Sequence, residues 1–184
     1  MAMKKKNELK DIFAGPSTLM YQKVSVDLSS ATAITLNPEL ELPVKVGSLK
    51  IEQGAPTLKH YKVIGMNGDW SSSAEVADFE VEFVVPTIHS DVLKWAHGDD
   101  AVKEGVQAAI GSVNYKGHAL TMKKHKIFGS YIIEDDAQEN LMILSDVALW
   151  ARPMVDNDGD IYAIGLSGTI EVGDKPSIAW LKKQ

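Results

Sequence analysis

The feature that most limits how this chain can fold is an alternation of acidic and apolar side chains that starts at residue 78. Phe79 is apolar, and so is every second residue after it up to Val85. The residues interleaved at the start of the segment are acids: Asp78, Glu80 and Glu82. Because successive side chains of a strand point to opposite faces of its sheet, this period of two predicts a strand with an apolar core face and an acidic outer face.

Further strands are predicted along most of the chain. Apolar and polar residues alternate in 24–28 and 48–52. The segments 127–133 and 141–152 are rich in β-branched and aromatic residues, which are typical of strands.

A hairpin is predicted near the C-terminal end of the chain. Asp158-Gly159 is a strong turn signal, and large apolar residues follow at alternate positions from Tyr162 onward. The other face of this returning strand carries only small residues, which permit close approach by a neighbour: Ala163, Gly165, Ser167 and Thr169.

One short helix is predicted, from Ser90 to His97. Ser90 is expected to be its N-cap, and Gly98 is the residue at which it stops. Asp91 suits the positive end of the helix dipole.

Two segments are less regular. Residues 100–110 favour a helical turn followed by a strand, although 106–115 also fit a strand that leads into a turn at 116–117. Residues 66–77 are polar and predict a long loop that carries Trp70. A large aromatic residue in a polar loop indicates a partner surface.

These elements predict a mainly β fold. Roughly eight strands, one short α-helix and no βαβ rhythm indicate an antiparallel β-sandwich or barrel. Residues 1–45 are expected to form an N-terminal arm with the first strand or strands. Residues 46–184 are expected to form the β-barrel, so that the chain is a single domain overall.

Charge and composition exclude several function classes. The formal charge is −6, there is no cysteine, and Arg152 is the only arginine. Disulfides, thiolate metal sites and a cysteine nucleophile are therefore excluded, and a dedicated nucleic-acid-binding module is disfavoured. No apolar run is long enough for a membrane helix, so we expect a soluble chain made in the cytoplasm.

Charge is distributed in blocks along the chain. Residues 1–10 and 114–126 are basic, whereas 69–104 and 127–160 are acidic. One interpretation is ordinary solvated faces. The other is self-complementarity, in which basic and acidic surfaces of two copies meet head to tail and the contact propagates into rings or filaments.

No motif for catalysis, cofactor binding or metal binding is found. Asp156, Asp158 and Asp160 lack the glycine position and the final acid of a calcium loop, so a solvated hairpin tip is favoured. The histidines have no metal-ligand spacing, and phosphate-binding glycine loops are absent. We therefore predict no catalytic residues, no cofactor and no enzyme activity.

Residues 46–63, VGSLKIEQGAPTLKHYKV, resemble the opening strands of bacteriophage major tail tube proteins. In that family a strand runs into a Gly-x-Pro-Thr element and then into a second strand. The polar loop around Trp70, the acidic strand 78–85 and the helix 90–97 continue the similarity, which covers roughly residues 44–172. The family's fold is shared with the inner tubes of contractile injection machines, including type VI secretion.

The resemblance implies a structural virion protein with a tail-tube-like fold. Such subunits self-assemble into stacked rings, usually hexameric, and form the channel that conducts DNA through the phage tail. The implied partners are further copies of the chain, a tape-measure protein and a tail terminator protein. DNA would pass without specific binding, and no membrane insertion is implied.

Three groups of residues receive roles from the resemblance. Asp78, Glu80 and Glu82 are candidates to face the lumen, with an outward solvated face as the alternative. The candidate ring-stacking loop contains Asn67, Asp69, Trp70 and Ser71. The candidate subunit-packing strand contains Ala163, Gly165, Ser167 and Thr169.

Besides a hydrolase with a site that matches no motif, two other functions remain open at this point. One is a monomeric β-sandwich that binds a carbohydrate or another surface ligand, with Trp70 and either Trp150 or Trp180 as an aromatic platform. The other is the inner-tube protein of a bacterial contractile injection system.

Overall fold

The computed structural model of the chain describes residues 13, 15–29, 33–65, 67–69, 71–75, 77–156, 161–171, 173 and 175–183. These residues form twelve strands and one α-helix, α1 (Ser90–His97). In chain order the strands are β1 (Pro16–Gln22), β2 (Leu40–Leu42), β3 (Lys50–Gln53), β4 (Thr57–Tyr61), β5 (Ser71–Glu75), β6 (Phe79–Val85), β7 (Val102–Ile110), β8 (Val113–Leu120), β9 (Lys126–Asp135), β10 (Asn140–Asp156), β11 (Ile161–Ile170) and β12 (Ile178–Lys182).

Eight of the strands form one antiparallel sheet, in the order β2-β1-β9-β10-β11-β6-β3, with β12 also paired to β10. Strand β10 is the longest, with 17 residues, and it has three partners. On one side it pairs with β9, and on the other it pairs first with β12 and then with β11. A bulge between Leu144 and Val147 separates the two halves of β10, and Asp146 there has a φ of 55°.

The main core cluster lies on one face of this sheet, whereas Ile132 and Ile143 are buried on the opposite face. The alternation predicted for residues 79–85 is confirmed. Val81, Phe83 and Val85 are buried, whereas Glu80 and Glu82 are exposed. Helix α1 packs against the same core through Val92, Leu93 and Ala96. The rings of Phe83 and Tyr131 meet edge to face, with centroids 5.9 Å apart.

The predicted mainly β, antiparallel fold is thus confirmed, and the helix spans the predicted residues. Its N-cap is His89 rather than Ser90, because the His89 ring accepts a hydrogen bond from the backbone N–H of Asp91. Gly98 ends the helix as expected, with a φ of 94°.

The segment between β2 and β3 brings the two ends of the sheet close together. The N–H of Lys45 donates to the carbonyl of Val84, and the N–H of Val84 donates to the Ser48 hydroxyl. Val44 and Leu49 pack on the core. The sheet therefore curls around its core, but among the described residues β2 and β3 do not pair and the barrel is not closed.

The strand predicted at residues 24–28 is wrong. Val26 is buried there, but its N–H donates to the Ser130 hydroxyl and its carbonyl accepts from the Ser145 hydroxyl. Hydrogen bonds with serine side chains thus replace the backbone hydrogen bonds that a paired strand would make here. The first strand is β1, which the sequence analysis missed, and it lies between β2 and β9 within the sheet.

The polar loop predicted at residues 66–77 is also wrong in part. Ser71–Glu75 forms β5, which pairs with β4 in a separate hairpin. A run of serines gives no apolar alternation, because all five side chains of this strand are exposed.

The helical turn and strand favoured for residues 100–110 are confirmed as a 3-10 turn at Asp99–Ala101 followed by β7. The alternative turn at 116–117 is wrong, because β8 continues through these residues and the chain reverses between Ile110 and Val113. The turn at Asp158-Gly159 lies outside the described residues, although β10 and β11 pair as its two arms.

Gly168 is expected to be essential for stability. A Cβ at this position would overlap the carbonyl oxygen of Ala148 and lie 2.9 Å from the Leu149 Cα, and backbone atoms cannot move aside. Gly168→Ala should therefore lower the free energy of unfolding by about 2 kcal/mol or more, measured by urea unfolding. Gly117→Ala is the matched control, since no atom lies within 4 Å of its Cβ position. Equal unfolding midpoints for the two variants would contradict the close approach.

Asp135 should make stability depend on acid pH. Hydrogen bonds from the Asn140 side chain and from the backbone of Asn140 and Glu139 lower the pKa of Asp135. Its stabilising contribution is therefore complete above the ordinary carboxyl pKa of about 3.9 and is lost as pH falls through the lower folded-state value. Thermal unfolding measured across pH should show that Asp135→Asn is less stable than the natural chain at neutral pH and loses less stability in acid. The matched control, Asp136→Asn at the exposed neighbouring residue, should have the stability and the pH dependence of the natural chain.

Candidate functional site

Two groups of residues singled out in the sequence lie side by side on the face of the sheet opposite the core. Strand β11 pairs with β6 so that Thr169 stands opposite Glu80 and Ser167 opposite Glu82. The same face continues across β10 to β9. We call it the outer sheet face and define it by Lys50, Glu52, Glu80, Glu82, Val84, Lys126, Phe128, Trp150, Arg152, Met154, Gly165, Ser167 and Thr169.

The acidic part of the outer sheet face keeps most of its negative charge. Glu52 is 2.5 Å from Lys50, and this hydrogen bond, followed by the charges of Glu52, Glu82 and Glu80, raises the pKa of Lys50. Within the part of the chain that the structure describes, no basic group lies within 4.0 Å of Glu80 or Glu82. Asp78 precedes the strand and is exposed.

The small residues of β11 are only partly accessible. Ala163 is fully buried. A Cβ at Gly165 would lie 3.0 Å from the Met154 sulfur and 3.1 Å from the Arg152 Nε, so side chains from β10 already cover this glycine. Ser167 and Thr169 are half-buried and remain reachable from outside the chain.

An aromatic pair borders these small residues on the other side. Trp150 is 45% exposed and Phe128 is 36% exposed. Lys126 lies over the Phe128 ring, 5.1 Å from its centroid, and forms an ion pair with Glu171. Trp180 stands opposite Met142, on the core side of the sheet, whereas Trp150 lies on the outer sheet face. The platform predicted for Trp70 with either of them includes a residue outside the described ones.

The hairpin β4–β5 projects with every strand residue exposed. Side-chain pairs hold it together, with Lys59 2.6 Å from Glu75 and His60 2.6 Å from Asp69. Asn67 and Asp69 are exposed in the connection between its strands, and Ser71 is exposed at the start of β5. Trp70, the fourth residue of the candidate stacking loop, lies outside the described residues.

The hairpin β7–β8 projects as well, and it is amphipathic. One face carries apolar side chains, namely Val106, Ala108, Ile110, Val113 and Tyr115. The other face carries Gln107, Asn114 and Lys116. Ile110 is 73% exposed and Tyr115 is 53% exposed. The sequence analysis missed this surface, because the same apolar residues also fitted a helix.

These hairpins point to contacts with other molecules. An isolated two-stranded hairpin is marginally stable in water, because neither face is buried. A contiguous exposed apolar surface is likewise typical of an interaction site. The base of β7–β8 is tied to α1 by Lys94 and Glu104, 2.7 Å apart, but its apolar face has no cover within the described chain.

The described residues offer no metal site and no membrane span. No group of three or more histidine, aspartate or glutamate side chains among them could hold a metal ion. No helix in the same part of the chain is long and apolar enough to cross a membrane. His97 is buried, and its pKa is lowered by burial and by the nearby His125.

Comparison with known proteins adds no relative. Neither a scan against protein-family models nor a search of curated proteins gives a match to this chain. The candidate surfaces are therefore defined by their geometry.

Substitution by alanine should lower the free energy of unfolding much less at Gly165 than at Gly168. The nearest atoms to a methyl group at Gly165 belong to the flexible side chains of Arg152 and Met154, which can rotate away. Gly165→Ala should change the free energy of unfolding by less than about 1 kcal/mol in urea titration. A loss as large as that of Gly168→Ala would show that Arg152 and Met154 are held rigidly over β11.

Proposed function

We propose that this protein is a structural subunit that assembles with copies of itself into stacked rings, as the major tail tube protein of a phage tail. The observation that carries the proposal is the pair of projecting hairpins, which have no interior of their own. Two such hairpins on one chain are best stabilised by repeated neighbours. The resemblance of residues 46–63 to tail tube proteins supports the same conclusion.

Open strand edges provide the means to build a ring. Strand β12 pairs on one side only, and Trp180 and Leu181 on it are 66% and 44% exposed. Strands β2 and β3 also have one partner each among the described residues. Unpaired edges promote aggregation of a monomer, whereas within a ring they become subunit contacts.

The acidic residues suit the wall of a channel. Asp78, Glu80 and Glu82 are exposed, and Glu80 and Glu82 lie on one face of the sheet. Negative charge on a lumen wall repels phosphate, so DNA slides past instead of binding. We therefore assign these three residues to the lumen.

The hairpin β4–β5 suits contact between rings. It projects from the sheet, and Asn67 and Asp69 lie exposed in the connection between its strands. We assign this connection, with Trp70 and Ser71, to stacking on the next ring. Ser167 and Thr169 are the part of the small-residue strand that a neighbouring subunit can reach.

In this proposal the protein resides in the virion. Its further partners are a tape-measure protein inside the tube and a terminator protein at its end. The tube conducts DNA without reading its sequence, and the subunit catalyses no reaction.

Assembly can be tested directly on the purified full-length chain. Analytical ultracentrifugation over a range of concentrations should show discrete oligomers, and electron microscopy should show rings or tubes with an open centre. A density map should place Glu80 and Glu82 on the wall of that opening. A chain that stays monomeric at every concentration, even with its tape-measure partner supplied, would contradict the proposal. So would a solid particle without a lumen.

A further inference from the structure

We propose that the apolar face of the β7–β8 hairpin packs on the outer sheet face of a second copy of this chain, beside Trp150. The contact is head to tail, since two different surfaces meet. This inference rests on the proposed self-assembly and adds to it the two surfaces that form one contact.

The hairpin presents an apolar strip that the described part of the chain leaves exposed. Val106, Ile110, Val113 and Tyr115 are 37%, 73%, 51% and 53% exposed. The strand register places them on one face together with Ala108. Besides β8, the helix α1 contacts β7, and α1 lies on the core side of the sheet. The strip is therefore left accessible by the described residues.

The outer sheet face offers a small side chain between two larger ones. Trp150 on β10 and Glu82 on β6 stand on either side of Ser167, whose side chain is small. Neighbouring strands lie about 4.8 Å apart, so Trp150 and Glu82 stand about two strand spacings apart. A hairpin that packs at the usual distance of about 10 Å between sheets would place its large side chains between them.

Charge favours the same pairing. Lys103 lies on the apolar face of the hairpin, opposite Ala119, and no carboxylate of the described residues lies within 4.0 Å of it. Among the described residues, Glu80 and Glu82 on the outer sheet face have no basic group within that distance. Glu104 is already paired with Lys94 and does not oppose the contact. Charges of opposite sign thus border the two surfaces and favour one orientation of docking, while the acids stay at the edge of the contact, next to the lumen.

A head-to-tail contact has a consequence for assembly. Each copy supplies one hairpin and one outer sheet face, so every copy can bind two neighbours. Such a contact closes into a ring when its rotation allows, and otherwise grows into a filament.

Cysteine cross-linking tests this contact cleanly, because the natural chain contains no cysteine. The test variant carries Ile110→Cys on the apolar face of the hairpin and Ser167→Cys on the outer sheet face. The matched control carries Asn114→Cys, on the polar face of the same hairpin, with Ser167→Cys. Each full-length protein is treated with a short bismaleimide and separated on a denaturing gel.

The test variant should give a ladder of dimers, trimers and longer products. The control pair and each single-cysteine variant should give monomer only. Dimers from the Ile110→Cys variant alone would show hairpin packed on hairpin and would overturn the inference. Rings in the microscope without a ladder would also overturn it while leaving the proposed self-assembly intact. Loss of both rings and ladder would contradict both proposals.

Discussion

A two-stranded hairpin cannot bury either of its faces by itself, and this constraint limits the stability of the two projecting hairpins. The eight-stranded sheet buries one face against α1 and the core, so the chain itself supplies the burial of this face. Among the described residues, hairpins β4–β5 and β7–β8 have no such layer, and almost all of their residues are exposed. In the proposed assembly, a further copy of the same chain supplies their burial.

Strand β10 carries both buried core residues and accessible residues of the outer sheet face. Its core-facing residues, such as Leu144 and Leu149, are fully buried, whereas Trp150 on its other face is accessible. Close packing of backbone at Gly168, and of Gly129 on β9 against Gln22, holds the neighbouring strands tightly. The rigid sheet thereby presents acidic, small and aromatic side chains as one continuous outer surface.

The periodic spacing of apolar residues in the sequence predicted the elements that have one buried face. Strand β6 and helix α1 were found at their observed positions, because core and solvent faces differ in their residues. The same rule failed for β5, whose serines have no buried face. It also failed at residues 24–28, where serine hydroxyls satisfy the backbone of Val26. The acidic and the small residues lie side by side because β6 pairs with β11. Sequence periodicity does not specify which strands pair.

Hydrogen exchange measured on dissociated and assembled protein tests the central claim most directly. Slowly exchanging amides mark hydrogen bonds that open rarely. The amides of β7–β8 and β4–β5 should exchange rapidly in the dissociated chain and become protected on assembly, while those of β9 and β10 stay protected in both states. Hairpin amides that are equally protected in the dissociated chain would show that these hairpins need no neighbour.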